Sequence, residues 1–297
     1  MNEQPTPSLP NEISRILTEV LSYSGSFRLR FSNEPMPGSL AASELASAEG
    51  EGCEDRLFDI RAAYQKAVAV LNAGAGQHMW ALTQLYQPQM ALFGYQVVTR
   101  ALVETSARAW WLLDPNIDTT ERLGRLYVDN MENISEMGRA DRLGVGENNM
   151  TSKRIEMLIA RAAKIGLTAE FSKKGDELIG FNSIRQPDKT PLVREFFDFL
   201  GLNNGGLWYR QVSAITHGTA YGLLDYFDAV SDPAAGLVRL EPRLPAISIS
   251  EFAIIASEAY LGSIEAHSQL FGWDSQDVSE MRSSFKNQIA NLFEEPS

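Results

Sequence analysis

Two side chains with complementary chemistry stand seven positions apart in Leu207-Trp208-Tyr209-Arg210-Gln211-Val212-Ser213-Ala214-Ile215-Thr216-His217-Gly218: the guanidinium of Arg210 and the imidazole of His217. A guanidinium is a permanently charged, planar donor fork that matches phosphate oxygens. An imidazole ordinarily titrates close enough to neutrality to take up or deliver a proton. The pair suits attack of an RNA 2′-hydroxyl on the adjacent phosphate, with the imidazole moving the proton and the guanidinium holding charge on the phosphorane. That chemistry needs no metal.

The segment reads as a helix opened by Gly205 and Gly206 and closed by Gly218, where left-handed geometry suits glycine. His217 then lies in the last turn, where the helix dipole favours a cation. At 100° per residue, Arg210, Ser213, Ala214 and His217 share one face, while Leu207, Trp208, Val212 and Ile215 pack elsewhere. Seven residues separate Arg210 from His217 by about 10 Å along the axis, and helical side chains lean toward the N-terminus. A phosphate can lie between the two, or two copies of the helix can face each other across a two-fold axis. The plain alternative is a histidine packed at a helix end for stability and an arginine in an ion pair, for instance with Glu104.

Arg210, six intervening residues and His217 resemble the Arg-x(4 to 6)-His signature of the HEPN superfamily, at the long limit of its spacing. The phrase Tyr209-Arg210-x-x-Ser213-x-x-x-His217-Gly218, with Arg100-Ala-Leu-Val-Glu104 upstream, is also similar to bacterial HEPN-like proteins. The matching residues cover two helices. The resemblance implies an all-helical fold and a metal-independent ribonuclease or RNase toxin of stress or antiphage defence, acting on RNA such as tRNA. It also implies a homodimer with a composite site. Arg210 and His217 would be catalytic there, supported by Arg100, Glu104, Arg108, Ser213 and Tyr209.

Helices must position these residues. Roughly Pro88 to Leu113 is the longest apolar helical pattern, about 39 Å at 1.5 Å per residue. Its Met90, Phe93, Val97, Val98, Leu102, Val103, Trp110, Leu112 and Leu113 spread around most of the circumference, as in a helix surrounded by others. Arg100, Glu104 and Arg108, at i, i+4 and i+8, make one polar stripe along it. The stripe is either a solvent strip, with ion pairs worth a few tenths of a kcal/mol, or a cleft-facing network that orients Arg210 or a phosphate.

Around this helix the periodicity predicts others over residues 11–23, 55–71, 77–86, 120–143, 152–165, 168–178, 191–200, 219–227, 250–271 and 274–293. Asn72-Ala-Gly-Ala-Gly76 reads as a break and Pro88 as a first-turn residue. The expected fold class is all-α, a multi-helix bundle with one long central helix and at most a small β ribbon near 237–249. Residues 1–52 read as an N-terminal helix with a flexible acidic linker, and 53–297 as a single HEPN-like helical domain.

Composition narrows the chemistry. Cys53 is the only cysteine among 297 residues, which rules out an intrachain disulfide and a cysteine-rich zinc site. No paired-histidine metal motif, P-loop, nucleophile elbow or dinucleotide fingerprint occurs, so no metal or cofactor is expected. His78 and His267 read as structural. Without a secretory leader or a twenty-residue apolar span, the chain reads as cytoplasmic and membrane-free.

The net charge of −12 argues against a general nucleic-acid coat protein. Residues 151–194 carry nine basic and five acidic side chains, either an RNA-docking patch or a solvated surface. Residues 1–55 carry three basic and nine acidic side chains, compatible with an inhibitory role or a regulatory protein partner. Trp208, Tyr209, Tyr221, Tyr226 and Phe227 are either base-stacking or core aromatics. Besides a ribonuclease, two readings remain open. One is a non-catalytic nucleotide- or partner-binding module, sensor or scaffold, using Arg100, Glu104, Arg210 and His217. The other is a structural subunit whose stripe is an ion-pair network.

Overall fold

Apolar residues recur every three to four positions along most of the chain, and in the computed structural model these stretches are helices. The structure describes residues 8–30, 34–50, 52–87, 93–143, 149–175, 177–223, 226–232, 237–242 and 246–292. The order is α1 (Leu9–Arg30), α2 (Leu40–Ser47), α3 (Glu54–Ala69), a π-helical turn (Val70–Ala75), α4 (Gly76–Leu85), α5 (Gly94–Leu113), α6 (Thr119–Leu143) and α7 (Asn149–Lys164). A first ribbon, β1 (Ala169–Phe171) with β2 (Leu178–Phe181), precedes α8 (Lys189–Phe199), α9 (Gly205–Thr216) and α10 (Ala220–Leu223). A second, β3 (Phe227–Asp232) with β4 (Leu237–Pro242), leads to α11 (Ala246–Phe271) and α12 (Ser275–Asn291). Both ribbons are antiparallel. The fold is all-α, with short β ribbons as accessories.

Helix α5 is the central element, in contact with α3, α4, α6, α8, α9, α11 and the π-helical turn. Its Leu102, Val103, Ala107, Ala109, Leu112 and Leu113 are fully buried. Burying one large side chain of this kind removes apolar surface worth about 1.5–3 kcal/mol from water, so α5 and the helices on it fold together. Among the described helices, α11 contains a span long and apolar enough to cross a membrane, Ile247–Phe271, and 72% of that apolar window is buried inside the fold. Packing against α5 and α12 accounts for its apolarity.

Several local expectations change. The stretch expected as a linker after residue 23 contains the end of α1 and all of α2. Ile13, Ile16, Leu17, Val20 and Phe27 of α1 are buried in the core, and Glu44 of α2 pairs with the fully buried Arg122 of α6. Arg122 also donates to the carbonyls of Leu112 and Asp114, satisfying the C-terminal end of α5. Helix formation in 40–47 follows from Ser39, whose hydroxyl caps the Ala42 amide at 3.1 Å.

The glycine break expected at 72–76 is instead a π-helical turn that joins α3 to α4, all in right-handed geometry. Gly74 is required there for close approach: a Cβ on it would lie 2.5 Å from Cγ2 of Thr105 on α5. The helix expected over 168–178 is the β1–β2 ribbon. Gly175 takes a left-handed φ of 75° inside it, and Asn182 and Ser183 turn the chain at its end with φ of 49° and 65°. Leu237–Leu240 pairs with β3, not with 247–249, which belongs to α11. Residues 88–92, expected to begin the central helix, lie outside the described residues.

Candidate functional site

Helix α9 is fixed at both ends. At its start Gly205 lies so close to α8 that a Cβ would fall 2.5 Å from Cβ of Phe197. At its end Gly218 has φ +64°, the Gly218 amide bonds to the Ile215 carbonyl, and the Thr219 amide bonds to the Ala214 carbonyl, both at 3.0 Å. That is a Schellman closure, with His217 as the C-cap residue.

Between its ends α9 buries Trp208, Tyr209, Val212 and Ile215. Leu207, expected to pack, is 63% exposed. The buried face meets α5 through Tyr209: its hydroxyl donates to Glu104 Oε1 at 2.8 Å and accepts from Arg100 Nη2 at 3.2 Å. Arg100 Nε reaches Glu104 Oε1 at 2.8 Å, and its guanidinium lies over the Tyr209 ring, 5.3 Å from the centroid. Lys189, at the first turn of α8, closes the cluster with an ion pair to Glu104 Oε2 at 3.0 Å. Three helices thus converge on one carboxylate. Burial pushes the Glu104 pKa up, but Lys189, Tyr209 and Arg100 outweigh it and hold the carboxyl below its ordinary range. Burial raises the Tyr209 hydroxyl, so the phenol stays protonated.

One turn further along α5, Arg108 belongs to a second cluster. Its Nε donates to Asp129 Oδ1 at 2.6 Å and Nη2 to Asn133 at 3.2 Å. Lys66 of α3 pairs with the same fully buried carboxylate and donates to Asn130 at 2.6 Å. Burial and the neighbouring Arg108 outweigh Asp129 and lower the Lys66 pKa. Glu104, Thr105 and Arg108 then form one wall of a cleft of about 360 Å³ between α5, the π-helical turn and the start of α8.

The residues singled out in the sequence therefore separate into groups. Arg100, Glu104 and Tyr209 come together, with Arg108 next along the stripe. Arg210 and His217 are exposed on α9, and among the described residues neither has an ion pair or a hydrogen-bonded side chain. Glu104 engages Arg100, Tyr209 and Lys189 and not Arg210. Ser213 is half-buried, its hydroxyl oxygen inaccessible and without a partner among the described residues. His78 is half-buried, and His267 packs between Phe271 and Trp273 at centroid distances of 4.4 and 4.5 Å. Among the described residues no group of three His, Cys, Asp or Glu side chains is arranged to hold a metal.

Lys189, Lys66 and Asp129 were not legible as site residues. Lys189 stood in the basic 151–194 segment, and the other two carry no local pattern that distinguishes them from surface charges. No protein-family model, no curated protein and no solved structure matches the chain.

Proposed function

We propose that the protein is an HEPN-like, metal-independent ribonuclease whose reactive groups are Arg210 and His217, each site composed from the α9 helices of two copies. One observation carries this reading: both side chains are exposed and, among the described residues, without partners, on a helix whose orientation is locked by Tyr209 and Glu104. A side chain retained for stability is expected to have a partner, whereas a phosphate-binding one is left open to solvent.

In this reading the imidazole of His217 takes the proton from an RNA 2′-hydroxyl while that oxygen forms a bond to phosphorus. Arg210 stabilises the charge on the phosphorane. The bond to the 5′-oxygen breaks, that oxygen is protonated, and the products end in a 2′,3′-cyclic phosphate and a 5′-hydroxyl. The rise of about 10 Å over seven helical residues favours supply of the two groups by different copies. Incubation with cellular RNA in excess EDTA tests the reading: cleavage that ends when His217 or Arg210 is replaced supports it.

A second reading, a non-catalytic nucleotide- or partner-binding module on the same scaffold, is favoured by the commitment of Glu104 to Arg100, Tyr209 and Lys189. That network has the character of a brace. It predicts ligand-dependent thermal stabilisation without RNA cleavage.

A further inference from the structure

The cleft beside Glu104 has a charge pattern that cleavage at α9 does not use. Arg108 and Thr105 stand on its α5 wall, Lys189 on its rim, and Val70, Leu192 and Val193 give it apolar lining. In and directly behind it, the cations Lys66, Arg100, Arg108 and Lys189 meet two carboxylates, Glu104 and Asp129. Within this network, among the described residues, two positive charges exceed the carboxylates in a chain whose net charge is −12. Gln186 also lines the cleft, and its Oε1 is inaccessible to water and lacks a hydrogen-bond partner among the described residues. Such an orphaned acceptor costs about 1–3 kcal/mol, and a turn of the amide toward the cleft presents it to a ligand hydroxyl or amino group. Helix α8 begins at the cleft with Asp188 as an N-cap residue that makes no side-chain cap bond; Pro191 carries no N–H, so Lys189 and Thr190 alone of its first turn bear amide donors.

We infer that this cleft binds a small phosphate-bearing ligand of nucleotide size. The phosphate lies against Lys189 and Arg108, a hydroxyl or amino group bonds to Gln186 Oε1, and the ring portion covers Val70, Leu192 and Val193. Gly74 sets the width of the site by bringing the π-helical turn against Thr105. This site stands apart from cleavage at α9 and does not depend on it.

Isothermal titration of the full-length protein with ADP, pyrophosphate and adenosine, in EDTA, tests the inference. ADP is expected to bind tightest, with pyrophosphate and adenosine each weaker by about tenfold or more. Lys189→Ala weakens ADP by about tenfold. Gln186→Leu weakens ADP and adenosine and leaves pyrophosphate unchanged. Lys189 is 68% exposed in its side chain, so its truncation leaves the fold intact, as the melting temperature checks. Arg210→Ala and His217→Ala leave ADP binding unchanged. The inference is overturned if neither ADP nor pyrophosphate binds at millimolar concentration, if pyrophosphate matches ADP, or if Lys189→Ala binds ADP as well as wild type. Loss of ADP binding in Arg210→Ala would also overturn it, by moving the anion to α9. Absence of RNA cleavage leaves it untouched.

Discussion

Tyr209 Oη donates to Glu104 Oε1 at 2.8 Å, and this contact decides which way α9 faces. With the phenol turned to the polar stripe of α5, the next residue is rotated by about 100°, and Arg210 is directed to solvent. The helix thus uses a neutral aromatic for its brace and leaves its guanidinium open.

Removing the brace separates stability from function. Tyr209→Phe deletes the donor to Glu104 and the acceptor of Arg100, and is expected to cost about 1–2 kcal/mol in urea denaturation. Arg210→Ala, one position on, removes an exposed side chain without a partner among the described residues and is expected to change stability by less than about 0.5 kcal/mol. Equal losses from the two would favour a structural role for Arg210.

The Glu104 brace also has a pH signature. Its carboxyl is held below the ordinary range in the folded state. The stability it contributes is therefore fully present above the unfolded value of about 4.3 and is lost as pH falls through the folded value. The stability difference between wild type and Glu104→Gln should be constant from neutrality to about pH 5 and shrink below it, read from denaturant midpoints across that range.

Arg122 is fully buried against Glu44 and two backbone carbonyls. Arg122→Ala leaves a carboxylate stranded at the junction of α2, α5 and α6, and is expected to cost about 3–5 kcal/mol. A thermal melt checks this directly, and loss of α2 should show as faster amide exchange in 40–47.

Gly74→Ala tests the close approach of the π-helical turn to α5. Alanine in a helix interior ordinarily stabilises relative to glycine by about 1 kcal/mol, but here its Cβ meets Thr105 Cγ2 at 2.5 Å. A net loss of about 1–3 kcal/mol is expected. Adding Thr105→Ser, which deletes that methyl, should restore much of it.

The composite site predicts complementation. Neither Arg210→Ala nor His217→Ala cleaves RNA alone, but a mixed dimer holds one site with both native groups. Mixing and re-equilibrating the two variants should restore part of the activity, whereas a site within one chain would stay dead.

The long helices were legible because their apolar periodicity repeats over many turns, as in α5, α6 and α11. The end of α9 was legible too, since Gly218 marks a closure that only a left-handed residue makes cheaply. Its rotation was legible in outline: Trp208, Val212 and Ile215 are buried as the periodicity places them, and Arg210 and His217 lie on the open face. The exposure of Leu207 and the engagement of Tyr209 were not, because Arg100 and Glu104, which hold that phenol, stand on another helix. The same holds for Lys189 and Asp129, which join the site only through tertiary packing. Gly74 looks like part of a break in sequence and acts as a close contact, because the neighbouring α5 supplies the reason. The β1–β2 ribbon was hidden by a chance amphipathic pattern that runs across the turn holding the left-handed Gly175, while the left-handed Asn182 follows β2.

The central claim is tested most directly by RNA cleavage in excess EDTA, with wild type beside Arg210→Ala and His217→Ala of unchanged melting temperature. Cleavage by wild type alone, with 2′,3′-cyclic phosphate ends, is the predicted result. RNA left intact by wild type, or cut equally by all three proteins, would contradict it.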